Sequence, residues 1–97
     1  MTRDGKTPEE SETIIGEFAL TIVADPNSGW ACVQVPDSAA LLGTGKAVRV
    51  AARVNDQPYE ATMLPIGGGV HMLPLRAPFR RRLGVELGDS VDLVLVR

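Results

Sequence analysis

Few side chains in this sequence could do chemistry, and they are widely spaced. His71 is the single histidine and Cys32 the single cysteine. His71 lies in "LPIGGGVHMLPL", close behind the consecutive glycines Gly67, Gly68 and Gly69. A glycine run cradles phosphate when its N–H groups converge at a helix N-terminus and a lysine or hydroxyl follows. Here Val70 and an apolar, strand-like run follow instead. The glycines are therefore expected to form a hairpin corner whose residues take positive φ or pack closely. One histidine and one distant cysteine do not make the four-ligand set of a structural zinc site, so no metal is expected. No Ser-His-Asp arrangement is legible, and no carboxylate pair stands at a spacing that places both on one surface. The expectation is a non-enzymatic domain without a cofactor. Cys32 reads as a small core residue rather than a nucleophile.

The one concentrated charge feature is Arg76, Arg80, Arg81 and Arg82. As a solvated helix face, their stems would cover apolar surface and their heads would sit in water. As a functional patch, they would take phosphate oxygens or an acidic partner. The formal net charge of -2 gives no general attraction to nucleic acid or to an anionic membrane. Phe79 is the one aromatic residue among the arginines, which weakens the case for stacking on single strands. The expected partner is thus an unidentified small ligand or protein, with DNA binding through the arginine patch as the alternative. A monomer is expected, a weak dimer being the other outcome. A lone cysteine and the lack of any apolar run near the ~18 residues of a membrane span point to a cytoplasmic protein.

These residues must be positioned by short strands. Residues 1–13 are polar, without hydrophobic periodicity, and read as a mobile tail. Residues 14–97 read as a single domain. In "EFALTIV", Phe18, Leu20 and Ile22 share one face, and "DPNSG" turns the chain into "WACVQV". "SAALLG" allows one helical turn, stopped at Gly43. "KAVRVAARV" turns Val48, Val50, Ala52 and Val54 inward and Arg49 and Arg53 outward. "YEATML" aligns Tyr59, Ala61 and Met63, and "VHMLPL" follows the glycine corner. "APFRRRLG" is a short helix with Pro78 at its start and Gly84 at its end. Gly88-Asp89 leads into "SVDLVLV".

The order of elements repeats. An offset of 41 lays Phe18 on Tyr59, Leu20 on Ala61, Ile22 on Met63, Gly43 on Gly84 and Trp30 on His71. After two extra residues in the second half, Val48 falls on Val91 and Val50 on Leu93. Neither half, about residues 14–54 and 55–97, can bury its apolar face alone, the usual reason for duplicated units to close on each other. The expected fold is all-β with one or two short helices: a six-stranded closed or double-split β-barrel with an internal pseudo-twofold repeat. In such a barrel Trp30 and His71 would lie at related rims and flank a shallow ligand cleft.

"PFRRRLGVELGDSVDLVLV" resembles the helix, Leu-Gly, Gly-Asp, strand pattern of the AbrB-like transition-state-regulator fold, which implies a DNA-binding relative. A resemblance over more of the chain, from Phe18 to Val96, is to a small bacterial family, domain of unknown function nineteen-oh-five. It is carried by Phe18, Trp30, Val35-Pro36, Val48, Val50, Asn55, Tyr59, Leu64-Pro65, Gly68-Gly69, Met72 to Leu75, Gly84, Gly88-Asp89 and Val91. At "VNDQPY" the sequence has Asp56 where the family tends to have glycine. The resemblance implies the double-split barrel architecture and no reaction.

Overall fold

The computed structural model describes residues 13–97. Seven strands form: β1 (Ile14–Thr21), β2 (Val23–Ala24), β3 (Ala31–Val35), β4 (Val48–Val54), β5 (Gln57–Gly67), β6 (Val70–Pro74) and β7 (Ser90–Val96). Two short helices, α1 (Ser38–Leu42) and α2 (Ala77–Leu83), follow β3 and β6. The strands pair antiparallel in the order β1-β7-β4-β5-β6-β3-β2 and form a curled sheet, a half-barrel. The expected closed barrel of six strands is therefore corrected. The first expected strand breaks at Ile22, which pairs with neither neighbour strand. Its N–H donates to Asp89 O (2.9 Å) and its carbonyl accepts from Gly88 N (2.8 Å). β1 thus stays with β7, while β2 turns onto β3.

β5 makes the corresponding change of partner without a break. Val54 to Gln57 is a two-residue turn in which Asn55 and Asp56 have φ of 50° and 68°. Asn and Asp tolerate this left-handed pair, so Asp56 keeps the turn tight where glycine would be the easier choice. From Gln57 to Met63 the strand pairs with β4, and from Leu64 onward with β6. The glycine corner forms as expected, with φ of 97°, 65° and 79° at Gly67, Gly68 and Gly69.

Leu20 stands opposite Val91 and Ala61 opposite Val50, as Phe18 stands opposite Leu93 and Tyr59 opposite Ala52, with Leu20 and Ala61, like Val50 and Val91, 41 positions apart.

The inner face of the curl carries the alternating apolar residues. Val50, Ala52, Val54, Tyr59, Ala61, Met63, Leu93 and Leu95 are buried together with Val33, Val35, Leu73 and Phe79. α1 packs so close to β1 that a Cβ on Gly16 would lie 2.8 Å from Leu41 Cδ2. Both helices end on left-handed glycines, Gly43 and Gly84. Of the expected tail, residues 1–12 lie outside the described residues. Thr13 is tied down, exchanging two backbone hydrogen bonds with Arg97. Among the described residues no helix is long and apolar enough to cross a membrane.

Candidate functional site

His71 lies in β6 opposite Val35 and is fully buried, not at a rim. Pro36 and Asp37 end β3, and Asp37 takes φ 55° to start α1 at Ser38 directly over the imidazole. Ser38 Oγ lies 2.8 Å from His71 Nδ1 and accepts from the His71 backbone N–H at 2.6 Å. His71 Nε2 lies 2.8 Å from the Lys46 carbonyl oxygen. A carbonyl only accepts, so Nε2 carries the proton. In the neutral ring Nδ1 is then the acceptor, and the Ser38 hydroxyl donates to it. Ser38 is itself fully buried, and Ala39 N–H donates to Gly69 O at 3.0 Å, docking α1 on the glycine corner. Every side-chain polar atom of the pair has a hydrogen-bond partner inside the protein. The arrangement joins α1, the segment before β4 and β6, and a cavity of about 70 Å³ adjoins it. Sequence reasoning passed over Ser38 because nothing local in "PDSAALL" marks a partner 33 positions away.

Trp30 meets the opposite fate. It is 53% exposed, and it lines an open cleft of about 570 Å³ with Ala31, Pro74, Leu75, Arg76, Ala77, Pro78 and Arg80. The loop before it is fixed by Asp25, whose Oδ2 accepts from Ser28 N (2.8 Å), Ser28 Oγ (2.9 Å) and Asn27 N (3.2 Å). Those donors, the Ser28 N–H first, hold the Asp25 carboxyl below its ordinary range. Asp25 N–H also donates to Trp30 O at 2.8 Å, so the loop delivers Trp30 on a braced backbone.

The far side of the cleft is braced by Tyr59. Its hydroxyl donates to Pro74 O at 2.5 Å and accepts from Arg76 N at 3.0 Å. The Tyr59 ring stacks on Phe79 with centroids 4.2 Å apart, and the Arg76 guanidinium lies 4.5 Å from the Tyr59 ring centre. Arg76 Nη2 also donates to Glu60 O at 3.0 Å, and the residue is exposed. Arg80 Nη1 donates to Leu75 O, while Arg80 Nε is out of contact with water and has no partner among the described residues.

The structure therefore brings Trp30 together with Arg76 and Arg80, and not with His71. Arg81 and Arg82 are exposed, and neither lines the cleft; Arg82 lies 5.5 Å from the Phe79 ring centre. Cys32 is fully buried, and burial, helped by the Asp25 charge, pushes its thiol up, away from the reactive thiolate. Among the described residues no group of three or more His, Cys, Asp or Glu side chains could hold a metal ion.

The family model described as "Domain of unknown function (DUF1905)" matches residues 18–95. The chain belongs to this family. The matched DUF1905 region takes in both the sealed Ser38–His71 pair and the open Trp30 cleft. No curated protein matches the chain.

Proposed function

We propose that this domain is a non-enzymatic binding module that takes a small ligand in the Trp30 cleft. The observation that carries the reading is a half-exposed indole sharing one cleft of about 570 Å³ with two guanidinium groups and an apolar floor of Pro74, Leu75, Ala77 and Pro78. Ligand sites are commonly concavities of about 300–1,000 Å³, mostly apolar with a few placed polar groups. An indole left half in water on a braced loop adds to this, because a large aromatic with nothing to cover it gains contact area when a ligand arrives. The non-enzymatic part of the reading is supported by the Ser38–His71 pair, where both side chains are buried and engaged. The domain is taken to act as a monomer in the cytoplasm, as the lone buried thiol suits a reducing compartment.

The test is amide NMR of the labelled domain against a mixed set of charged and neutral aromatic and aliphatic fragments. Shifts confined to Gly29 to Ala31 and Leu75 to Arg80 are expected. No response there to any fragment, with duplex DNA shifting Arg81 and Arg82 in a salt-dependent way, would replace this reading with the DNA-binding one.

A further inference from the structure

The two guanidinium groups of the Trp30 cleft are not equivalent. Arg76 is stacked on Tyr59 and bound to Glu60 O, so its position is set before any ligand arrives. Arg80 spends its Nη1 edge on the Leu75 carbonyl, and its Nε has no acceptor among the described residues. Arg80 Nε has no surface in contact with water, so Arg80 meets a ligand through its remaining terminal nitrogen, Nη2, with the Arg76 guanidinium lining the same cleft. Two cationic donor groups on one cleft suit the two oxygens of a carboxylate, because charge-assisted hydrogen bonds are stronger than neutral ones. The rest of the lining is apolar, with Trp30 and Pro78 offering flat faces.

We propose that the cleft binds a small aromatic carboxylate, its ring against Trp30 and its carboxylate across Arg80 and Arg76, an assignment that rests on the binding role given to this cleft above. Phosphate alone would use the cations and leave the indole unused. A neutral aromatic would use the indole and leave both guanidinium groups without an anion.

Trp30 is the single tryptophan, so its fluorescence reports on this cleft directly. The experiment titrates the whole chain with naphthalene-2-carboxylate, naphthalene-2-carboxamide and inorganic phosphate, following Trp30 emission and the Arg Nε–H resonances. The carboxylate is expected to quench Trp30, shift the Arg80 Nε–H signal and bind at least about tenfold tighter than the amide. Arg80→Gln is expected to remove that tenfold preference while keeping the amide's weak binding. Arg76→Gln serves as the second variant should Arg80→Gln fail to fold, and it should weaken the carboxylate selectively. Equal binding of carboxylate and amide at the cleft would overturn the carboxylate assignment and leave the binding module standing. Phosphate matching the carboxylate without moving Trp30 would also overturn it. No cleft response to any of the three, nor to the wider fragment set, would remove both readings.

Discussion

Trp30 and His71 stand 41 positions apart, each where the chain enters a short strand before a helix, and the helix beside each begins differently. At His71 the facing helix begins with Ser38, whose hydroxyl serves both the imidazole and the His71 backbone. At Trp30 the nearby helix begins with Ala77 and Pro78, which offer no hydrogen bond to an indole. One end of the curl is consequently sealed around a 70 Å³ remnant, and the other stays open over about 570 Å³. A polar aromatic is thus drawn inward only where the neighbouring helix brings a partner for it. Otherwise the ring stays at the surface and becomes available.

Breaking the sealed side should have the largest effect. His71→Ala removes a fully buried ring and leaves Lys46 O and Ser38 Oγ short of partners, which should cost about 3 kcal/mol or more. Thermal melts should then fall by more than about 10 °C for a domain of this size. A fall of only a few degrees would show that the seal contributes little. On the open side, Tyr59→Phe deletes the hydroxyl that holds Pro74 O and Arg76 N, for an expected loss of about 1–3 kcal/mol by denaturant unfolding. It should also weaken carboxylate binding, because the backbone around Arg76 loses its brace.

A smaller effect sharpens the comparison through pH. The Asp25 carboxyl titrates below its ordinary value in the folded chain, so the unfolded chain takes up the proton first as acid is added. The stability this provides is complete above the ordinary carboxylate value and is lost as pH falls through the lowered one. Melts between about pH 5 and pH 2 should therefore drop more steeply in the natural chain than in Asp25→Asn. Parallel slopes would mean that the loop beneath Trp30 is not held by this carboxylate. The smallest effect is expected from Trp30→Ala, which should change stability by at most about 1 kcal/mol while abolishing the ligand response. A large destabilisation would instead make Trp30 a structural residue.

The strands were legible because alternation is a local property. Val48 to Val54 and Tyr59 to Met63 declare their inner faces in sequence, and so do the glycine corner and the two helix stops. The break at Ile22 was not legible, since it is caused by hydrogen bonds to Gly88 and Asp89 from the other end of the chain. It turned an expected barrel strand into two and the closed barrel into a curled sheet. The arginines were visible as a cluster, but nothing in their spacing ranked one above another. Their separation into cleft residues and surface residues depends on Tyr59, Glu60 and Leu75, which are contacts between elements. Ser38 was missed for the same reason.

The pairing of β1 with β7 bears on biosynthesis. Phe18 and Leu20 are cross-strand neighbours of Leu93 and Val91, so β1 finds this partner only when β7 has been made. At about 5–20 residues per second the wait lasts several seconds. Throughout it the β1 edge has no β7 to pair with. The growing domain is thus most prone to self-association until β7 is made, and truncation within β7 should yield insoluble protein rather than a weakened domain.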